Sequence, residues 1–298
     1  MSDLLLVTGA AGHLGQRVIH HLLDTLKVPA SRIIATTRTP AGLAALAAKG
    51  VTVRAADFDD MASLSTAFDG ADRLLLISTD ALDRPGHRLA QHRNAVAAAT
   101  QAGVSHVVYT SMPQPDDSPL LLAPDHAGTE AALAASALPG WTVLRNHWYF
   151  ENLFMSMPSV LAMGGQWFSA AGDGKLANIA RDDLALAAAT VLAGAYTGKA
   201  TYTLSGAEAL TTAQQAQAIS AAIDKPINVI PVPVDGLIQG MVGAGLPEPV
   251  ARIFASFDTN TAAGRVAVVT GDFKKITGVE PQSFATWLTA NRGALSGG

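Results

Sequence analysis

Three glycines near the start of the chain have the spacing of a loop that binds phosphate groups. Gly9, Gly12 and Gly15 follow a short apolar run and precede a segment of helical periodicity. Gly9 permits a tight turn, Gly12 lets the backbone approach a pyrophosphate, and Gly15 lets the helix pack closely on the strand. The unpaired amides of the helix's first turn attract an anion, an effect of roughly 0.3 to 2 kcal/mol. The pattern predicts dinucleotide binding by the following residues, with a purely structural turn as the alternative: Thr8, Gly9, Gly12, His13, Leu14 and Gly15.

Arg38 follows the second predicted strand, at the position that selects between the two nicotinamide cofactors. NAD-specific proteins with this kind of loop place an acid there for the ribose hydroxyl, whereas an arginine can bind the 2′-phosphate of NADP. Such a charge-assisted pair contributes about 1.5 to 3 kcal/mol, or about tenfold to a hundredfold in affinity. Arg38 therefore predicts NADPH as the cofactor, and a solvated surface arginine is the alternative.

Polar and aromatic side chains after three further strands are expected to complete the cofactor site. Those after the third strand would flank the adenine, and those after the fourth would lie beside the nicotinamide ribose, with ordinary turn chemistry as the alternative. We expect further contacts where the fifth strand ends. The residues are Asp57, Phe58, Ser78, Thr79, Thr110 and Ser111.

An aromatic run after the sixth predicted strand indicates a flat binding surface. Trp148, Tyr149 and Phe150 follow Asn146 directly after one intervening histidine. Aromatic walls suit a planar acceptor, because each offset-stacked pair contributes roughly 0.5 to 1.5 kcal/mol beyond burial. Asn146 is expected to hold the loop backbone, the cofactor or the polar edge of a substrate. The alternative is that Trp148 and Phe150 belong to the core and only Tyr149 faces the cleft.

His126 is predicted to lie in the first turn of a helix capped by Asp125, near the mouth of the crevice. It could donate a proton or orient a substrate, and an exposed histidine without a role is the alternative. We accordingly predict Tyr149, His126 and Asn146 as catalytic residues. The predicted substrate-binding residues are Met112, His126, Trp148 and Tyr149.

One familiar proton-transfer pair is absent. Many dehydrogenases of this fold place a lysine four residues after a tyrosine, and the lysine lowers the pKa of that tyrosine. None of the seven lysines of this chain, the first of which is Lys27, follows a tyrosine at that spacing. Either other groups handle the proton, or the protein binds the cofactor without doing chemistry.

The composition excludes several classes of protein. The chain has 298 residues, 49% hydrophobic, with a formal net charge of −4 and no basic run, so nothing suggests nucleic-acid binding. It has no cysteine, which excludes disulfides and thiolate metal sites, and its eight histidines form no metal-binding motif. The N-terminal apolar run is too short for a signal peptide, and no stretch is long enough to cross a membrane. A cytoplasmic protein without a metal is the expectation.

Strands and helices alternate through the first half, which predicts an α/β, Rossmann-type, doubly wound parallel sheet. The predicted strands are 4–7, 32–37, 51–55, 72–78, 104–110 and 141–145, and the predicted helices include 60–68, 83–102 and 125–136. We expect residues 1–150 to form an NADP-binding domain. Ligands bind at the carboxyl ends of such strands.

The second half, residues 151–298, is expected to form a smaller, mainly helical substrate-binding lobe. Short strands at 178–180 and 201–204 are predicted to return to the sheet, with Asp182 or Asp183 capping the next helix and Thr211 or Thr212 a later one. Residues 235–257 mix glycine, proline and methionine with apolar residues, which indicates a mobile lid. The alternative is that these methionines fill a core.

Taken together, these motifs resemble those of the NmrA-like atypical short-chain dehydrogenases. The likeness rests on segments 8–15, 91–94, 109–111, 125–126, 144–152, 170–175, 181–183 and 204–206 together with Arg38. Within that family the sequence is similar to the bacterial type 2 quinone oxidoreductases and the triphenylmethane reductases. The resemblance implies a reductase without flavin in which NADPH gives a hydride directly to a quinone-like planar acceptor, and it makes a homodimer plausible. It also implies that Gly9, Gly12, Gly15 and Arg38 bind the cofactor and that Asn146, Trp148 and Tyr149 line the pocket.

One departure from the family pattern affects the proton donor. Many relatives have a lysine just after the glutamate that matches Glu130, but here Ala131 follows and no lysine lies between residues 50 and 174. A quinone tolerates this loss, because water can protonate the hydroquinone anion. Two alternatives stay open: reduction of another acceptor, such as a dye, an imine or an activated alkene, and a non-catalytic NADP-sensing regulatory protein.

Overall fold

A parallel sheet forms the centre of the computed structural model, which describes residues 3–297. The strands in chain order are β1 (Leu5–Val7), β2 (Ile33–Thr37), β3 (Thr52–Ala55), β4 (Arg73–Leu76), β5 (His106–Ser111), β6 (Gly140–Asn146), β7 (Gln166–Ser169), β8 (Lys175–Leu176), β9 (Lys199–Leu204), β10 (Leu210–Thr211) and β11 (Asn228–Pro231). Seven of them form the central sheet in the order β3-β2-β1-β4-β5-β6-β9, and every pair is parallel. The chain reverses its direction of travel between β1 and β4, so the crevice of a doubly wound fold opens there.

Helices connect these strands and then form most of the C-terminal region. They are α1 (His13–His20, continued as a π turn over His21–Thr25), α2 (Ala44–Ala48), α3 (Met61–Phe68), α4 (His87–Gln101), α5 (Ala123–Ala135), α6 (Leu153–Ala162), α7 (Arg181–Ala193), α8 (Thr212–Ile223), α9 (Val234–Gly243), α10 (Glu248–Ala262), α11 (Asp272–Thr277) and α12 (Phe284–Leu295). Short 3-10 turns lie at Ala30–Arg32, Pro40–Leu43 and Phe150–Asn152.

Both faces of the sheet are covered, as the continuous apolar strands predict. On one face α1, α7 and α11 pack together over a core that includes Val18 and Leu184. On the other face α3, α4 and α5 pack over a core that includes Phe68 and Val96. The predicted doubly wound α/β fold is therefore confirmed.

The C-terminal region has its own apolar core, in which Phe150 and Trp287 pack among residues of α6, α8 and α12. Two small sheets accompany these helices, a parallel pair of β7 with β11 and an antiparallel pair of β8 with β10. The strand β9, which includes the predicted segment 201–204, joins the central sheet beside β6. The division into 1–150 and 151–298 stays a prediction.

Three local expectations need correction. Asp125 does not cap α5: the helix begins at Ala123, because Pro124 is well suited to a first turn, and Asp125 lies within that turn. Residues 178–180 form no strand; Ile179 makes only an isolated bridge with Tyr149. The helix α7 is capped by Ala180, so the two aspartates that follow Arg181 lie in its first turn.

Two other helix starts are confirmed. The Asp60 carboxylate accepts from the amides of Ala62 and Ser63 at the start of α3. The Thr211 hydroxyl caps α8 by accepting from the Gln214 amide, and the Gln214 side chain accepts from the Thr211 amide in return. Within residues 3–297, no helix is long and apolar enough to cross a membrane.

Candidate active site

The glycine loop after β1 has the geometry that its sequence predicts. Gly9 has a φ of +58°, and its carbonyl accepts from the Gly12 amide at 2.9 Å. A Cβ on Gly15 would lie 2.4 Å from the Gly9 oxygen, whereas a Cβ on Gly12 would lie 3.2 Å from it. The backbone thus requires glycine at positions 9 and 15. Gly12 is exposed and has no side chain, so a ligand can approach the backbone of the loop there.

The first turn of α1 is suited to bind an anion. Gly12 is its N-cap residue, no side chain caps the helix, and the first turn holds no acidic residue. His13 is exposed, but the Leu14 side chain is buried in the core, so Leu14 can contribute only its backbone. A cavity of about 200 Å³ lies beside this turn, and its lining includes His13 and Arg181 as well as the carboxylates of Glu151 and Asp182. A helix N-terminus with these features is a ready phosphate site.

Thr8 fixes the loop to the neighbouring strand. Its hydroxyl donates to the Leu75 carbonyl at 3.0 Å and accepts from the Ile77 amide at 2.9 Å. The side chain is fully buried. Thr8 therefore positions the glycine loop against the residues that follow β4.

The predicted adenosine contacts lie beyond β2 and β3. Arg38 is exposed and forms no ion pair within residues 3–297. Asp57 is also exposed, and its carboxylate accepts from the Asp59 amide at 3.0 Å. Phe58 differs from the expectation, because its ring is buried in the core beneath α3 and α4 rather than exposed for stacking. Within residues 3–297, neither Arg38 nor Asp57 forms a side-chain hydrogen bond or ion pair with another predicted site residue.

Ser78 and Thr110 are brought together where β4 and β5 end. The Thr110 hydroxyl accepts from the Ser78 amide at 2.9 Å and lies 3.4 Å from the Ser78 hydroxyl. The Thr79 amide donates to Nε2 of His92 at 3.0 Å, so the proton of that ring is on Nδ1, which donates to Thr129. Burial lowers the pKa of His92 to about 3, so the ring is neutral. The helices α4 and α5 thus hold this strand end rigid.

His126 is buried, so the exposed alternative is wrong. Its Nε2 accepts from the Arg88 guanidinium at 3.1 Å, and its Nδ1 lies 2.9 Å from the Tyr109 hydroxyl. Because arginine only donates, Nδ1 carries the proton and donates to Tyr109. Burial and then the Arg88 charge lower the pKa of His126. With both nitrogens engaged and the ring neutral, the geometry does not favour His126 as a proton donor or a substrate ligand.

A partly buried ion pair joins α5 to β6. Arg145 donates to both oxygens of Glu130, from Nη2 at 2.6 Å and from Nε at 3.1 Å. The Ser111 hydroxyl donates to the same carboxylate at 2.6 Å. The forked geometry fixes the end of β6. The predicted cofactor contact from Ser111 stays a prediction, since Glu130 already engages its hydroxyl.

Asn146 and Tyr149 meet at the end of β6. The Asn146 side chain is buried, and its amide oxygen has no hydrogen-bond partner within the described residues. The Arg181 guanidinium lies over the Tyr149 ring, 5.1 Å from its centroid. Burial raises the pKa of Tyr149, while Arg181 and Asn146 oppose that shift. Tyr149 is therefore protonated at neutral pH and can donate a hydrogen bond.

Trp148 and Met112 belong to a small apolar cluster that α10 covers. Met112 is buried there, and the Trp148 ring lies 4.9 Å from the Phe257 ring. Phe150 instead packs at 5.1 Å from Phe284 in the C-terminal core, so for this residue the core alternative is correct. The structure thus brings two predicted substrate residues together and excludes one ring of the run.

Polar contacts fix α10 over this cluster. The Asp258 carboxylate accepts from the Ser169 hydroxyl at 2.8 Å and from the Ala170 amide at 2.6 Å. Two residues later, Asn260 accepts from the Ser118 hydroxyl at 2.6 Å. These bonds hold the end of the segment 235–257, whose mobility stays a prediction.

The sequence interpretation missed Arg88, Arg181 and Phe257. Arg181 and Phe257 reach the site from helices far from it in the chain, and Arg88 reaches Thr79 from nine residues away. The available signal was the family likeness, because segment 181–183 contains Arg181 and segment 91–94 begins three residues after Arg88.

A parallel sheet with a phosphate-binding glycine loop at its switch point defines a Rossmann-type nucleotide-binding protein. The profile of the NmrA-like family matches residues 1–288. The chain belongs to this family, which confirms the resemblance seen in the motifs.

Relatives of known structure share the whole fold. Quinone oxidoreductase 2 of Escherichia coli is 41% identical over 261 residues, which are 88% of this chain and 89% of that protein. The crystal structure of an NADPH-dependent quinone oxidoreductase from Escherichia coli complexed with NADPH covers 96% of this chain and 98% of its own, with a TM-score of 0.89 at 39% identity. The match to the crystal structure of the triphenylmethane reductase of Citrobacter sp. complexed with NADP(H) covers 96% of this chain and 99% of that protein, with a TM-score of 0.86 at 35% identity.

Proposed function

We propose that the protein, an NADPH-dependent oxidoreductase, reduces a quinone-like planar acceptor by direct hydride transfer, without flavin. The observation that carries the proposal is the pairing of Trp148 with Phe257 beside Asn146 and Tyr149, at the same sheet edge as the glycine loop. Aromatic rings of this kind stack on a planar acceptor. Its relatives include a quinone oxidoreductase and a triphenylmethane reductase, so quinones and planar dyes are the acceptors to test.

The residues present fit NADPH. Gly15 packs so closely that a Cβ would fill the loop, and the uncapped first turn of α1 offers amides to the pyrophosphate. Arg38 is exposed and unpaired within the described residues, as a 2′-phosphate ligand requires. The buried, unpartnered oxygen of Asn146 is suited to accept from a carboxamide. When bound, NADPH supplies the hydride.

The chain's own residues bind and orient the acceptor. The cluster of Met112, Trp148 and Phe257 excludes water from one side of it. Tyr149, which keeps its proton at neutral pH, can donate a hydrogen bond to the acceptor's oxygen. Water is the final proton source for a reduced quinone in this proposal.

The direct test is NADPH oxidation with a panel of benzoquinones, naphthoquinones and a triphenylmethane dye. We expect turnover with quinones and a preference for NADPH over NADH. Protein that binds NADPH tightly yet reduces no quinone would overturn the proposal. Turnover restricted to dyes would assign the alternative acceptor, and a protein partner captured only in one cofactor redox state, without turnover, would indicate a regulatory sensor. Homodimerisation is proposed from the family resemblance, and light scattering would measure it.

Tyr149→Phe removes the hydroxyl and keeps the ring. We expect kcat/KM for quinones to fall by about tenfold, since one hydrogen bond to a developing charge is lost. Steady-state kinetics check this, with Tyr202→Phe as the matched control because Tyr202 lies on β9 beside Lys275. Unchanged turnover would make Tyr149 a wall of the pocket rather than a donor.

A further inference from the structure

Two buried arginines lie at opposite ends of β4. Arg73 begins the strand, and Arg88 on α4 reaches Thr79, just beyond the strand's carboxyl end. Their exposures are 5% and 6%. Neither forms an ion pair with a carboxylate in residues 3–297. Burial of an unpaired charge is costly, so the groups around each guanidinium indicate its purpose.

Arg73 is fully satisfied by the protein. Its Nε donates to the Leu192 carbonyl at 2.7 Å, its Nη1 to Tyr196 at 3.0 Å, and its Nη2 to Val191 at 3.1 Å. These carbonyls lie at or just after the last turn of α7, where the helix dipole favours a cation. Every nitrogen has a partner, which indicates a structural role.

Arg88 is only partly satisfied. Its Nε donates to the Thr79 carbonyl at 2.6 Å and its Nη2 to the neutral His126, but its buried Nη1 has no partner in the described residues. Asp80 and Asp125 are near enough to favour the charged form of Arg88, but neither forms an ion pair with it. A buried positive charge that has an unused donor, and no ion pair within the described residues, is therefore held in place.

The position of this charge is the carboxyl edge of the sheet. Thr79 is expected beside the nicotinamide ribose. On α5, Ala123 lies one turn before His126 and packs in the cluster that includes Trp148. His126 links Arg88 to Tyr109 on β5 and so fixes the guanidinium between α4 and α5. The charge thus lies beside the proposed acceptor site and is held rigidly.

We propose that Arg88 stabilises the anion that forms when the acceptor is reduced. The inference rests on the proposed function. A quinone that gains a hydride, two electrons and one hydrogen nucleus, from dihydronicotinamide becomes a hydroquinone monoanion, while the nicotinamide is oxidised. The monoanion then takes a proton from water. A preorganised, buried cation stabilises such a developing charge far better than one in water.

The kinetic test compares Arg88→Met with Arg73→Met, its matched control. We expect Arg88→Met to lower kcat by about 100-fold to 1000-fold while the Kd for NADPH changes by less than about twofold. Added guanidinium ion should restore part of the activity, and Arg88→Lys should retain more than Arg88→Met. Arg73→Met, assayed at a temperature where circular dichroism shows it folded, should keep its kcat. An Arg88→Met variant that loses NADPH affinity as much as kcat would assign the charge to the cofactor and overturn the proposal.

A binding test without turnover separates this inference from the proposed function. In the NADP⁺ complex, the wild-type protein should bind 4-nitrophenol as the phenolate at a pH below its solution pKa, which its absorbance reports. The Arg88→Met complex should bind the neutral phenol. If no quinone is reduced but this difference is seen, the anion site stands and the proposed acceptor is wrong. If the wild-type complex shows no preference for the phenolate, Arg88 does not stabilise an anion.

Discussion

The two ends of the central sheet differ in how their buried polar groups are satisfied. At the amino end, all three nitrogens of Arg73 donate to carbonyls. At the carboxyl end, within residues 3–297, the first turn of α1 is uncapped, and the Asn146 oxygen and one Arg88 nitrogen have no partner. Contacts within the protein thus satisfy Arg73 at the amino end, whereas the carboxyl end keeps donors and an acceptor that a ligand can use.

Charge matters more than the number of unpaired atoms. The amino end also has buried nitrogens without a partner in the described part of the chain, on His106 and Trp141. Burial lowers the pKa of His106 to about 4, so both groups are neutral at pH 7. An unpaired neutral group costs about 1 to 3 kcal/mol, and an unpaired charge costs more. The fold can absorb the first, whereas the second persists where a ligand compensates it.

Arg73→Met should have the largest effect and should act on stability alone. It removes the donor from two buried carbonyls and one partly buried carbonyl. We therefore expect a loss of about 2 to 4 kcal/mol and a fall in Tm of roughly 5 to 10 °C. Thermal denaturation followed by circular dichroism measures this. The affinity for NADPH should not change. A loss of NADPH affinity in the folded variant would break the contrast between the two ends.

Gly15→Ala should act on binding. Its Cβ would meet backbone atoms of Gly9 at 2.4 Å and Ala10 at 2.9 Å, so the loop must move. Overpacking of about 1 to 3 kcal/mol corresponds to roughly tenfold to hundredfold weaker NADPH binding. Fluorescence titration with NADPH checks it. Gly42→Ala is the control, since no heavy atom lies within 4 Å of its Cβ; equal affinities for the two variants would contradict the close packing.

The outline of the carboxyl edge of the sheet could be predicted from the sequence. The glycine spacing and the alternating strands depend on local patterns, so the loop at Gly9 to Gly15 and the sheet were predictable. Arg38 and Asn146 were singled out because residues that follow parallel strands meet at one edge, and their roles stay predictions.

The remaining features depend on contacts between distant segments. His126 was expected near the mouth of the crevice, with an exposed ring as the alternative, but Arg88 of α4 contacts it and the ring is buried. Phe58 was expected to stack, but α3 and α4 cover its ring. Phe257 reaches Trp148 from more than a hundred residues away. Hydrophobic periodicity indicates which residues are buried. It does not indicate which distant residues they contact.

Arg38→Ala should weaken NADPH binding by about tenfold and spare NADH, because only NADPH has the 2′-phosphate. The effect is smaller than that of Gly15→Ala, since Arg38 is exposed and its pair is screened by salt. Kd values for both cofactors measure it at low and high ionic strength. Equal losses for NADPH and NADH would mean that Arg38 does not bind the phosphate.

Asp183→Asn should have the smallest effect. Asp183 lies in the first turn of α7, at the opposite end of that helix from the carbonyls that accept from Arg73. Burial raises the pKa of Asp183 to about 6 in the folded protein, with Asp182 and Glu151 adding to the shift and His21 opposing it. A carboxyl group whose folded pKa lies above its unfolded value is destabilising when ionised, so its cost is present above about pH 6 and is relieved as the pH falls toward 4. Asparagine keeps the oxygen that accepts from the Gln282 amide at 2.7 Å, and we expect it to raise stability at pH 8 by about 1 kcal/mol after the lost helix-dipole interaction is subtracted. Tm values of both proteins at pH 5 and pH 8 test this, and a variant that is less stable at pH 8 would show that the buried carboxylate is paired after all.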